Sequence, residues 1–247
     1  MIVKRAWGTA TVTVSGVAIA LSSSLTSACA SQPPPAQASA KEPTVVERRT
    51  GAAPRPAHAA GDAAYYQERA TAFATEAVAE IEHTDLSRFR RGRLYVPDAS
   101  NIVELEERLA GAVRNENFAD LAAASAAILV SDQADIRAHI LRAAALRKAG
   151  DVPKADFHRA AAQALLESIA SSGDGRSAKS AVVVYRVKEE YEILKAMRAR
   201  FISQALVSDG GRSFDVLEAE AEDGEKLRVY FAIDELLAEE ARAVQGS

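Results

Sequence analysis

The sequence predicts an α+β fold in which N-terminal tetratricopeptide-like helical hairpins precede a small βαβββ sheet of mixed or antiparallel strands. Three observations predict it. Apolar side chains recur at helical spacing from Asp62 to about residue 171. Two helix starts inside that stretch, Asn117 and Asp151, stand 34 residues apart, the period of tetratricopeptide pairs. Beyond Ser172-Gly173-Asp174-Gly175 the apolar period shortens to two, and Asp209-Gly210-Gly211 and Asp223-Gly224 supply hairpin turns.

Ahead of the fold, residues 1–28 read as a lipoprotein signal peptide. Lys4 and Arg5 give a basic start, Ala10 to Leu21 an apolar stretch too short and too Thr/Ser/Gly-broken to span a bilayer, and small residues follow. Leu25-Thr26-Ser27-Ala28-Cys29 looks like a lipobox, with Thr26 where Leu is usual. Cys29 is the single cysteine of the 247 residues, and lipidation removes what would otherwise be a reactive thiol in an exported chain. Simple cleavage after Ala30 competes, because Ala28-Cys29-Ala30 also suits signal peptidase. Ala30 and Ser31 include no aspartate of the kind that holds bacterial lipoproteins at the inner membrane. The expected address is therefore the cell envelope, lipid-anchored at the periplasmic face of the outer membrane.

Residues 29–60 form a Pro/Ala-rich tether. They hold six of the eight prolines and no aromatic residue, so they cannot bury a core, and Pro33-Pro34-Pro35 favours an extended polyproline conformation. Without residues 1–28 the chain keeps 28 basic against 34 acidic side chains. Such a balance argues against nucleic acid as a partner, since phosphate backbones demand clustered Lys and Arg. Arg88, Arg90, Arg91 and Arg93 are the one local basic cluster, expected as a solvated connector paired with nearby acids.

The elements follow in order. Tyr66, Ala70, Phe73, Ala77 and Ile81 mark a first helix with Asp62 at its N-cap, and residues 88–98 break the pattern. Asn101 opens the next helix with Glu104 at the capping-box spacing, running to about Arg114. Helices from Phe118 to Val130, from Gln133 to Ala149 with Gly150 as the stop, and from Asp151-Val152-Pro153 onward complete two hairpins. Two such pairs fall short of the three that usually stand alone, so the Asp62 helix and the C-terminal region, 172–247, must cover the open face of 61–171. There Ala181 to Val187 reads as a strand and Lys188 to Arg198 as a helix. Arg200 to Val207, Ser213 to Ala219 and Lys226 to Ile233 follow as strands, and Asp234 caps a last helix. Leu227, Val229, Phe231 and Ile233 share one face and Arg228 and Tyr230 the other, so one side of the sheet is packed and the other wetter.

A series of short motifs brings a family resemblance. His139, His158, Leu165-Leu166-Glu167-Ser168-Ile169, Ser172-Gly173-Asp174-Gly175, Glu189-Glu190-Tyr191, Gln204-Ala205-Leu206, Phe214-Asp215 and Tyr230-Phe231-x-x-Asp234 stand in order. From about Asp85 to Asp234 the chain resembles bacterial domain-of-unknown-function family 4919. It departs at Arg212, where the family tends to have His, and at Ala232, where it often has Asn. The resemblance implies an exported or lipoprotein-like protein and implies no activity.

Seven residues are candidates for function: His139, His158, Asp174, Glu190, Tyr191, Gln204 and Asp215. Each also has a structural reading. Gly173 suits a helix C-terminal cap and Asp174-Gly175 a turn, Glu189 and Glu190 suit a helix N-terminus, and buried histidines are more often bonded to neighbours than to ligands. No His-Glu-x-x-His, phosphate loop or Gly-x-Ser-x-Gly elbow occurs, so no metal, cofactor or nucleophile is implied. Two readings follow: an envelope module for a protein or peptide partner, or a metal-binding or hydrolytic domain with His158, Asp174 and Glu190 at the helical/β junction.

Overall fold

Four helix starts take the same local solution. In the computed structural model, which describes residues 55–245, an Asp or Asn side chain accepts the third backbone N–H at each of them. Asp85 caps α3 (Leu86–Leu94), Asn117 caps α5 (Phe118–Ser131), Asp135 caps α6 (Ile136–Ala149) and Asp151 caps α7 (Val152–Ala170). With α1 (Ala59–Phe73), α2 (Val78–Glu82) and α4 (Ile102–Arg114), these make the helical half. The expected leader, Cys29 and the prolines through Pro54 lie outside the described residues.

The antiparallel pairs α4–α5 and α6–α7 are the two hairpins, and α5 packs on α6 to stack them. Gly150 ends α6 with φ of +86°, a left-handed conformation that favours glycine. Leu109, Leu121, Ile128 and Leu141 fill the interior of the hairpins. The larger core lies on the other side, where Phe73, Phe89 and Phe157 from α1, α3 and α7 meet at ring-centroid distances of 5.0 and 6.0 Å.

The C-terminal half is β1 (Val182–Val183), α8 (Val187–Ala196), β2 (Arg200–Asp209), β3 (Arg212–Glu220), β4 (Lys226–Ala232) and α9 (Asp234–Gln245). The four strands run in the order β1-β4-β3-β2, with β1 parallel to β4 and the other pairs antiparallel. The fold is α+β, helical first and sheet last, as the pattern predicts. Helix α7 is the shared wall: Leu165 and Ile169 sit in one core with Leu217, Val229 and Phe231. The opposite sheet face carries a smaller cluster of Phe214, Val216 and Ala232.

Several local expectations are corrected. The first helix stops at Phe73, and Ile81 belongs to α2. Asp62 lies inside α1 and is no cap; its buried carboxylate receives Arg88 Nε at 2.7 Å and Arg91 Nε at 2.8 Å. The break at 88–98 is largely helix α3, and its arginines are not all solvated. Arg90 and Arg93 are buried, because the acids that neutralise them come from other elements. Asn101 starts α4 without a side-chain cap bond. Asp234 opens α9 but spends its carboxylate on β3, taking Ser213 N–H at 2.7 Å and Arg212 Nε at 3.0 Å. The strand expected over Ala181–Val187 shrinks to two residues since Tyr185 N–H donates to Glu189 Oε2 and Val183 O accepts from Arg90. Side chains have taken over its ladder bonds.

Gly173 is needed for closeness, not for a left-handed turn. A Cβ there would fall far inside contact with the carbonyl oxygens of Ser180 and Ala181, whereas a Cβ on Gly150 would meet nothing within 4 Å. Gly150→Ala is therefore expected to cost about 1 kcal/mol, from left-handed backbone strain alone. Gly173→Ala is expected to cost about 1–3 kcal/mol or more, by overpacking. Thermal unfolding of the two variants checks the order.

Candidate functional site

Helix α8 turns three successive side chains toward three different parts of the molecule, as a 100° step per residue requires. Glu189 faces α3, where Arg90 Nε and Nη2 donate to its two carboxylate oxygens at 3.0 and 2.9 Å. Glu190 faces the sheet and is 0% exposed. Tyr191 faces the β2 edge, its ring 5.6 Å from that of Phe201.

Glu190 comes up against Asp215 of β3, itself 7% exposed. Asp215 Oδ2 accepts from Gln204 Nε2 at 2.7 Å, and Gln204 Oε1 accepts from Tyr191 O–H at 3.3 Å. Four of the seven candidates thus form one run, from the half-buried Tyr191 through exposed Gln204 to the buried carboxyl pair. Burial, then the neighbouring Asp215 charge, pushes the Glu190 carboxyl up to about 8. Neither Glu190 oxygen has a donor, so as a carboxylate it would be orphaned. As a carboxylic acid it can donate to Asp215.

The histidines form a second site. His139 is wholly buried, with Nε2 3.0 Å from Gln133 O and Nδ1 2.9 Å from His158 Nδ1. The carbonyl can only accept, so His139 Nε2 carries the hydrogen and its Nδ1 accepts from His158 Nδ1–H. Burial depresses both rings, and with His139, Arg142 and Lys154 nearby it takes His158 down to about 3. His158 Nε2 lies 3.3 Å from Glu76 Oε1, a contact without a donor while the ring is neutral. The bond between the two rings ties α7 to α6, while Lys154 Nζ, 3.4 Å from Glu76 Oε2, holds Glu76 of the α1–α2 connection against α7.

Asp174 stands apart in a turn, its carboxylate accepting Arg176 N–H at 3.0 Å. His158, Asp174 and Glu190 therefore belong to three separate networks. Among the described residues no group of three or more His, Cys, Asp or Glu is placed to hold a metal ion.

A cleft of about 380 Å³ opens between α3, the start of α8 and α9, and a second, narrower cleft lies at the junction of the helical hairpins with α8. It has a volume of about 240 Å³ between α4, the start of α6 and α8. Leu109 and Ile128 lie at its base, with Glu106, Arg137 and Tyr191 among the lining side chains. Glu106 and Arg137 are exposed and have no hydrogen-bond or ion-pair partner among the described residues. Sequence reasoning missed both, and Glu76 as well, since none belongs to a motif.

The carboxyl pair makes stability depend on pH. Glu190 holds its proton in the folded state up to about 8, against 4.5 for an unperturbed glutamate. Its contribution is complete below about 4.5 and is lost as pH rises through 8, at up to about 1.4 kcal/mol per pH unit. Glu190→Gln cannot ionise and should flatten the slope between pH 5 and 8, melting above the parent chain at pH 8–9. Parallel melting curves for the two across that range would assign the slope elsewhere.

A family model described as Domain of unknown function (DUF4919) matches residues 94–242, which carry all seven candidates and the lining of the narrower cleft. No curated protein and no solved structure matches the chain. With more than half its length matched, the chain belongs to the DUF4919 domain family.

Proposed function

We propose that the protein is a lipid-anchored interaction module of the cell envelope, whose junction cleft receives a segment of a partner protein or peptide. The cleft is the observation that carries this reading. Its volume of about 240 Å³ lies below the range of about 300–1,000 Å³ usual for small-molecule sites, and suits a few side chains of a longer ligand. The first helices of both hairpins contribute to it, which is the surface stacked helix pairs use for extended partners. Glu106 and Arg137 offer unpaired charges of opposite sign to a ligand's backbone or side chains. A hydrolytic or metal-binding role at the junction has less support, because His158, Asp174 and Glu190 do not converge.

The anchor belongs to the proposal too. No helix among the described residues is long and apolar enough to cross a membrane, and a lipidated Cys29 followed by the proline-rich tether would hold the folded part off the outer membrane. Two acyl groups or more give stable attachment.

Co-purification from solubilised membranes tests the cleft. Arg137→Glu combined with Glu106→Lys is expected to cut capture of the partner about tenfold while moving stability by no more than about 0.5 kcal/mol. Undiminished capture by the double variant would remove the cleft from the account. Cys29→Ser tests the anchor: the protein should shift to the soluble fraction, and salt-resistant retention on membranes would contradict lipidation.

A further inference from the structure

Strand β2 closes one side of the sheet and pairs only with β3. Apart from half-buried Val207, all its residues are exposed, including Phe201 at 38%, Ile202 at 40% and Leu206 at 65%. An open edge of this length is ordinarily blunted by charge, proline or a bulge, and here the only one of these inside the strand is a bulge near its start, between Phe201 and Ser203. Phe201 to Ser208 contains neither charge nor proline. Charges stand only at the two ends, as Arg200 and Asp209.

Those ends are nine positions apart, an odd offset that in a regular strand would put them on opposite faces. The irregularity between Phe201 and Ser203 leaves Ile202 as an extra residue. Arg200 then stands opposite Glu220 and Asp209 opposite Arg212, two β3 positions an even number of residues apart. The bulge has brought Arg200 and Asp209 onto one face.

We propose that β2 is a self-pairing edge: two copies of the chain join β2 to β2, antiparallel, about a two-fold axis passing at Ala205. In this register Gln204 faces the partner's Leu206 on the α8 side of the sheet, and Ser203 faces the partner's Val207 on the other. Counting through the bulge, Arg200 meets the partner's Asp209, and the symmetry makes that contact twice. Registers centred on Gln204 or Leu206 set Arg200 against an apolar residue or beyond the strand, so the charges select Ala205. Asp209 has no ion-pair partner among the described residues, and Arg200, its side chain 72% exposed, holds Glu220 through Nη2 only and shares that carboxylate with Lys226, so its remaining donors are open to the partner's Asp209. The four-stranded sheet is thereby doubled in one continuous layer.

Light-scattering mass of the purified full chain tests the edge. A dimer is expected, Asp209→Lys should halve the mass, and adding Arg200→Glu to it should restore the dimer with the charges exchanged. In a Cys29→Ser background, Ala205→Cys should form a covalent dimer on mild oxidation, since residues directly opposite across an antiparallel pair bring their Cβ atoms within about 5 Å. Val207→Cys should not. A chain that stays monomeric, a dimer indifferent to Asp209→Lys, or uptake of another protein's strand in place of a second copy would each overturn the proposal.

Discussion

Asp132 sits without solvent exposure at the end of α5, and three cations from elsewhere in the chain converge on it. Arg93 comes from α3, with Nε 3.2 Å from Oδ1; Arg186 and Lys188 come from the start of α8, with Lys188 Nζ 3.0 Å from Oδ2. Burial by itself would raise the Asp132 carboxyl, but Arg186, Lys188 and Arg93 outweigh it and hold the group well below the ordinary range. A buried ionic cluster of this kind is poor evidence for net stability, because desolvation offsets much of the attraction. Its consequence is geometric. Pairing Arg93, Arg186 and Lys188 with Asp132 brings α3, the α5–α6 corner and α8 together at one point.

The rest of the molecule follows from where that cluster places α8. One residue past Lys188, Glu189 meets Arg90, whose other bonds go to Val183 O and Ser168 Oγ, so α3, α7 and β1 are tied in the same stroke. One residue further, Glu190 reaches Asp215 on the sheet, and Tyr191 reaches Gln204. Lys188 also pairs with Asp135, the residue that caps α6, and both line the junction cleft. The cleft, the Glu190–Asp215 pair and the contact between the two halves are therefore aspects of one helix placement.

Short-range structure was legible in the sequence because short-range physics decides it. Asn117, Gly150 and Asp151 act through backbone groups within a few residues, and the β3 and β4 faces follow from alternation. Asp62, the arginines of α3 and the two-residue β1 were misread because their partners are remote: Asp62 and Arg88 are separated by 26 positions, Arg90 and Val183 by 93, and Arg90 and Glu189 by 99. Nothing local distinguishes an arginine bound for the interior from a solvated one. At the candidate site, Glu190, Tyr191, Gln204 and Asp215 came from motif resemblance, and spacing alone could not have joined them. Glu76 gave no signal, being 82 positions from the histidine it faces.

If the Asp132 cluster governs how the halves meet, they should open together. Hydrogen exchange through a denaturant series reads this directly, comparing amides of α5–α7 with those of β3 and β4. The parent chain is expected to show one shared opening free energy for both sets, and Asp132→Asn to lower it by about 3–5 kcal/mol or to split the sets apart. Separate openings in the parent chain, or an Asp132→Asn variant that exchanges like it, would contradict the account.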